Sequence, residues 1–425
     1  MSGAAHLIDD CFLHDKDRLR HEEALALLQE RLVPIVGTQT ILATRGLGRV
    51  LAADLTAPHA VPLHTNAAVD GYAFRHADLA ETPLPISARI PAGHLDPAPL
   101  APGTAARIFT GAPMPPGADS VAMQEDCASQ NASVVLPKGL KKGANCRLAG
   151  EDLAGGDRVL AQGTRLKAAD LAAAASVGAA ELNVFKPLRV ALFSNGDEMR
   201  VPQVDAKPLR PGEVYDANAP MLNALLAPLP VNITHGGIIH DTAEDARNAI
   251  ERASRDHDVI ITTGGASRGD EDHMLPVLDA LGSRHLWQLA VKPGRPMMFG
   301  QIAANHGPCL FFGLPGNPVA AMVCSLLYTR PALLRLAGAA FETPQRYPLP
   351  AQFEITKKKP DRREFLRGSL VTLEGGAVGV TEFGRSGSGL ISSLRESDGL
   401  VEISEEVTQL KFGEMVNFIP FSQFA

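Results

Sequence analysis

The stretch from residue 258 to residue 272, DVIITTGGASRGDED, constrains the fold of this chain more than any other. Val259-Ile260-Ile261 is a short β-branched apolar run, the pattern of a parallel strand buried on both faces. Thr262-Thr263-Gly264-Gly265 follows at once, and two glycines let the backbone turn sharply and approach a ligand closely. Ser267, Gly269 and the carboxylates Asp270, Glu271 and Asp272 come next, and His273-Met274-Leu275 begins a helix. A strand, a glycine turn and a helix start form the usual anion site of an open α/β sheet. Hydroxyls and backbone N–H groups there suit phosphate. Carboxylates suit Mg²⁺, which bridges phosphate to protein through oxygen. A solvated loop with a charged helix cap is the other reading of the same residues.

The surrounding chain favours the ligand site. Apolar strands at 189–193, 238–241, 259–262, 288–291 and 308–314 alternate with helical patterns at 216–226, 242–253, 273–281 and 319–336. This alternation predicts a parallel, three-layer α/β domain over residues 187–336. Five strand ends carry polar or glycine-rich loops, at 194–198, 240–241, 263–272, 292–295 and 313–317, and such ends share one rim of a doubly wound sheet. Ser194, Gly264, Gly265, Ser267, Pro315, Gly316 and Asn317 are therefore candidate ligand contacts. Lys292 and Arg295 would supply positive charge from a loop stiffened by Pro293 and Pro296. Asp197, Glu198, Asp241, Asp270 and Asp272 are the candidate Mg²⁺ ligands, with a helix N-cap as the alternative for Asp241.

Outside that domain the chain changes character twice. A helix is expected over 21–33, with Leu25, Leu28 and Leu32 on one face, and a second over 44–53 that buries Leu47, Val50 and Leu51. Residues 59–139 read as a small β domain of short strands punctuated by Pro and Gly, inserted into a discontinuous helical linker domain, 1–58 plus 140–186. Thr110-Gly111 ends one of its strands, and Asp70 sits in a turn. Arg147 and Asp152 lie in a glycine-rich loop. Residues 337–425 read as a C-terminal β-barrel or sandwich.

Composition removes several function classes. The net charge of −7 across 425 residues shows no basic excess, so nucleic acid is not expected as a partner. Five scattered cysteines have no C-x-x-C spacing, which argues for free thiols in a reducing cytoplasm. No uninterrupted apolar run approaches the roughly 18 residues of a spanning helix, and no membrane contact is expected.

NAAVDGYAF, RIFTGAPMPPGADSVAMQED, GEDLAGGD, LFSNGDEM, YDAN, TTGGASRGDED, KPGRPMMFG and GLPGNPVAA resemble, in this order, the motifs of MoeA-type molybdopterin molybdenumtransferases, a family that includes the C-terminal part of gephyrin. The resemblance covers nearly the whole chain. It implies a multidomain, elongated α/β plus β fold and a homodimer whose cleft combines the α/β domain with elements of the partner subunit. It also implies Mg²⁺-dependent insertion of molybdenum from molybdate into adenylylated molybdopterin with release of AMP, and passing contact with a molybdopterin adenylyltransferase. By motif, it assigns catalytic roles to Asp70, Glu198, Asp241 and Asp272, metal binding to Asp197, and ligand contacts to Thr110, Arg147, Asp152 and Lys292. Ala67 and Val69 stand where the family often has Ser and Met, Asn195 replaces a common Thr, and Arg295 stands where Lys is common. A molybdopterin-binding scaffold, a tungsten-inserting paralogue and a nucleotide hydrolase built on the same α/β domain are the alternative readings.

Overall fold

The computed structural model describes residues 18–93, 96–204, 207–265, 273–305, 307–385 and 387–424. Its centre is a six-stranded sheet in the order Val231–Ile239, Leu188–Asn195, Val259–Thr263, Gly307–Leu314, Pro296–Ala304 and Gly282–Gln288. The first four strands run parallel. Val259–Thr263 is buried along its whole length between two parallel neighbours, as its β-branched run requires.

Successive residues on these strands point to opposite faces, and the two cores follow that period. Val190, Leu192, Val259, Ile261, Leu310 and Phe312 pack with helices Asn218–Leu226, Pro318–Cys324 and Arg330–Leu336. Ala191, Phe193, Ile260 and Phe311 pack on the other side with helices Ala243–Asp256 and Met274–Leu281. The sheet is thus covered on both faces.

Four features differ from the sequence expectation. The sheet is mixed: Pro296–Ala304 forms an antiparallel hairpin with Gly307–Leu314, and Gly282–Gln288 pairs antiparallel with Pro296–Ala304. Pro296 and Gly300 look like loop residues, which hides the first of these strands in the sequence. The strand expected at 288–291 is also displaced, since Val291–Lys292 pairs with Arg363–Thr372 of the C-terminal sheet. No helix covers 44–53: a single 3-10 turn occupies Ala43–Arg45, Leu47 is 66% exposed, and Val50 and Leu51 are buried through isolated bridges to Arg165 and Val184. Lastly, residues 318–336 form one helical rod long and apolar enough to cross a membrane. It is a core helix, with 89% of its most apolar window buried, and a π-helical turn at Ser325–Thr329 precedes Pro331, which has no N–H to donate.

The linker region is less helical than expected. Thr38–Leu42 pairs with Glu181–Phe185, and Leu55–Thr56 with Arg158–Leu160, so short antiparallel ribbons join its two halves beside the helix Ala168–Ser176. The helix His21–Arg31 belongs by packing to the α/β domain, into whose core it sends Ala24, Leu25 and Leu28. The inserted β domain is a six-stranded sheet in the order 120–123, 71–74, 105–108, 84–90, 133–135, 128–130. In the C-terminal sheet a bridge from Ala351 to Val380 links the edge strand Tyr347–Pro350 to Val378–Glu382.

Candidate functional site

The carboxyl ends of the parallel strands converge on one cavity of about 710 Å³. Asn195, Gly196 and Glu198 line it from the first strand end, Asp241 from the second, and Thr263, Gly264 and Gly265 from the third. Pro315, Gly316 and Asn317 close the floor. Gly264 has φ +87°, and a Cβ there would stand 2.9 Å from the Asn195 carbonyl oxygen, so this turn requires glycine.

Beneath the rim lies a buried hydrogen-bond network. Ser194 is 1% exposed, and its hydroxyl donates to Asp216 Oδ2 at 2.5 Å. Asp216 Oδ1 accepts the first two N–H groups of the helix Asn218–Leu226, at 3.0 Å each. The Asn218 amide nitrogen donates to Thr263 Oγ1 and to the Gly316 carbonyl, both at 2.7 Å. Three strand ends and one helix start are thereby tied together. Ser194 is a support under the rim and not a ligand contact, because its hydroxyl is buried and committed.

The acids of the first two loops hold each other in place. Asp197 N–H donates to Asp241 Oδ2 at 3.0 Å, while Asp197 Oδ1 accepts from His240 Nδ1 at 2.8 Å. The His240 ring holds the Asp197 carboxyl below its ordinary pKa. Thr242, and not Asp241, caps the following helix by accepting from Asp245 N–H. Glu198 and Asp241 face the cavity; Asp197 is solvent-exposed beside them. Among the described residues these carboxylates do not close into a three-ligand cluster, and Asp270 and Asp272 lie outside the described residues, as does Ser267.

A second cavity, of about 900 Å³, adjoins the first and shares Pro296, Pro315 and Asn317 with it. It lies between the α/β domain and the C-terminal sheet. Arg18, Lys292, Arg295, Lys359, Arg362, Arg367 and Arg385 line it, against Asp361 and Glu382. The positive charge expected at the rim therefore sits in the interdomain cleft. Lys292 is placed there because its short strand joins the C-terminal sheet, and its Nζ donates to Glu364 at 3.2 Å. Gly294, with φ +113°, presses this loop onto the core helix, where a Cβ would meet Cys324 Sγ at 2.5 Å.

Asp70 and Thr110 lie together in the inserted β domain. Asp70 Oδ1 accepts from Thr110 N–H at 2.8 Å and from its hydroxyl at 2.7 Å, bonds that hold the carboxyl below its ordinary pKa. Asn66–Ala67 pairs with Cys146–Arg147, which brings Arg147 to the same loop cluster. Asp152 follows, its N–H donating to the Val61 carbonyl. None of these residues lines the rim cavity or the cleft.

Residues 19–178 match the family model described as MoeA N-terminal region (domain I and II), residues 191–335 the one described as Probable molybdopterin binding domain, and residues 349–421 the one described as MoeA C-terminal region (domain IV). The chain is 32% identical to the molybdopterin molybdenumtransferase of Haemophilus influenzae, over 94% of this chain and 98% of that protein. To that of a Nostoc species it is 32% identical, over 87% and 85%. The chain belongs to the MoeA family of molybdopterin molybdenumtransferases. Solved structures of molybdopterin biosynthesis MoeA proteins from Pyrococcus horikoshii superpose on it with TM-scores of 0.75 and 0.81, at 31% and 25% identity. Each covers 95% of this chain, with 99% and 100% of those chains matched.

In this MoeA-family chain the structure also gives places to residues to which the motifs assign no role. Arg362, Arg367 and Arg385 reach the cleft from a C-terminal sheet whose strands carry no recognisable motif. Thr263, Asp216 and Asn218 hold the rim through their buried hydrogen bonds. Tyr215 enters the cavity from the ribbon that pairs Met199–Arg200 with Val214–Tyr215.

Proposed function

We propose that this chain transfers molybdenum from molybdate to the dithiolene of adenylylated molybdopterin and releases AMP. The observation that carries this reading is the junction of the two cavities: a polar, glycine-turned rim continues into a basic cleft across Pro296, Pro315 and Asn317. A substrate with a phosphoanhydride between two bulky ends needs such an arrangement. One end sits on the rim, and the anhydride and the molybdate anion meet the cations of the cleft.

Each group has a task that its chemistry allows. Backbone N–H groups of the Gly264–Gly265 turn approach phosphate without a side chain in the way. Lys292 offers a point charge, and Arg295 offers a planar fork for an oxyanion. Glu198 and Asp241, both on the cavity wall, would hold Mg²⁺. Their number fits a cation that takes one or two carboxylates and completes its shell with substrate phosphate. When bound, that ion neutralises charge on the anhydride as it is cleaved. Asp272 is assigned to the same site from its motif alone. No covalent nucleophile is required. Asp70, Thr110, Arg147 and Asp152 reach the reaction from a second copy of the chain, which agrees with their distance from this chain's own cavities.

AMP release from adenylylated molybdopterin tests the reading, with Mg²⁺ and with or without molybdate. Wild type releases AMP in a molybdate-stimulated reaction, and Asp241→Asn and Asp272→Asn lose about 100-fold of the rate, the scale of one charge-stabilising group. Tight substrate binding by wild type without AMP release would turn the assignment to a scaffold.

A further inference from the structure

The proposed reaction gives the rim cavity a polar end, but one wall of it is apolar and no step above uses that wall. Met199, Val214, Tyr215 and Ile391 supply its apolar lining. Val214 is 47% and Tyr215 44% exposed, so neither side chain serves the core. The ribbon that carries them is nonetheless fixed. Val214 N–H donates to the Glu198 carbonyl and Asp216 N–H to the Arg200 carbonyl, both at 2.9 Å. The Glu213 carboxylate binds Arg200 at 2.8 Å and Arg210 at 2.5 Å. A half-exposed aromatic ring on a braced two-stranded ribbon, at the mouth of a cavity, is a stacking platform.

The same cavity holds acceptors without donors. Asn218 is 3% exposed, and its amide nitrogen is spent on Thr263 and Gly316. Flipping the amide would set its oxygen against the Gly316 carbonyl, so its orientation is decided. Its Oδ1 is buried with no hydrogen-bond partner, as is Oδ1 of Asn195. Unpaired buried acceptors beside a cavity call for a donor from outside the chain.

We propose that Tyr215 is a ring-positioning residue of this site: it stacks on a planar nitrogen heterocycle of the substrate, whose N–H edge turns toward Asn218 and Asn195. The inference rests on the function proposed above, whose substrate carries two such rings, a pterin and an adenine. Both have a π face and N–H donors in the plane, and the shared chemistry is what the site recognises.

Binding of 6-hydroxymethylpterin and of AMP separates the two sources. Each is measured by calorimetry, with pterin fluorescence as a second signal, on wild type, Tyr215→Leu and Tyr215→Phe. The leucine variant keeps the apolar wall and loses the ring, and it binds one of the two probes about tenfold more weakly. The phenylalanine variant restores that affinity. In the AMP-release assay the loss in Tyr215→Leu falls on KM and not on kcat, and Tyr215→Phe recovers it. Equal affinity of wild type and Tyr215→Leu for both probes overturns the inference, as does a wild type that binds neither. These outcomes are distinct from failure of the proposed reaction. A wild type that releases no AMP removes the reaction, while the probe titrations still decide the role of Tyr215.

Discussion

Asp70 is held below its ordinary carboxyl pKa by Thr110, forty positions away in the chain and in another turn. Its carboxyl pKa is depressed by two donated bonds, so its charge persists at pH values where a free carboxylate would protonate, and is lost only as pH falls through the lower folded value. Thr110→Val removes one of the donors. The acid limb of the kcat/KM profile is expected to move to higher pH, and an unmoved limb would show that Asp70 does not set it. Ser194 makes a different prediction. Its bond to a buried carboxylate is worth about 1–3 kcal/mol, so Ser194→Ala should lower stability in urea by that much. The turn at Asp70 and the acids at 197, 198 and 241 are visible as residue types in the sequence. Which of them face the cavity is not, because their direction depends on bonds such as His240 to Asp197 that cross between loops.

At the scale of elements, the strand Val259–Thr263 and its glycine turn position the rim. Gly264→Ala combines a positive φ with a contact 2.9 Å from the Asn195 carbonyl. A cost of about 1–3 kcal/mol and at least tenfold slower AMP release are expected, read by thermal unfolding and single-turnover kinetics. The helix His21–Arg31 carries a second test. His21 is fully buried; Nε2 accepts from Arg346, which leaves Nδ1–H to donate to the Tyr328 hydroxyl at 2.7 Å. Burial pushes its pKa from 6.5 down to about 3, with Arg363 and Arg346 adding to the effect. The folded chain therefore keeps a neutral ring that the unfolded chain protonates. Stability from this site is whole above pH 6.5 and falls as pH drops toward 3, by up to about 1.4 kcal/mol per pH unit. Urea titrations across that range should show a slope that flattens in His21→Gln. An equal slope in both proteins would place the acid sensitivity elsewhere.

For the whole molecule, the decisive feature is that the Asp70 cluster and the rim cavity lie apart within one chain. If a second copy supplies the cluster, Asp70→Asn and Glu198→Gln chains are each inactive alone. Mixed and allowed to exchange subunits, they should regain about a quarter of wild-type AMP release, because a random half of the dimers holds one intact site of two. No recovery after demonstrated exchange would put both groups to work within one subunit. The C-terminal sheet also takes part in the site. Its parallel pairing of Val291–Lys292 with Arg363–Glu364 carries Lys292 out of the rim and into the cleft beside Arg362, Arg367 and Arg385.

Local pattern alone was enough for the buried parallel strand at 259–263, the glycine turn after it, the polar strand ends and the ordered motifs of the family. Each depends on a few neighbouring residues whose spacing is set by backbone sterics and by the period of a strand or a helix. Tertiary structure decided the rest. The hairpin at 296–314, the seating of Ser194 under the rim and the placement of Lys292 arise from pairings that no strand or helix period announces, the last with Glu364, 72 positions away. A charge in a loop reads the same in sequence whether it faces solvent, a cavity or another domain. Only the packing of one sheet against another settles which surface it meets, and here that packing gathered a basic cleft in a chain whose net charge is −7.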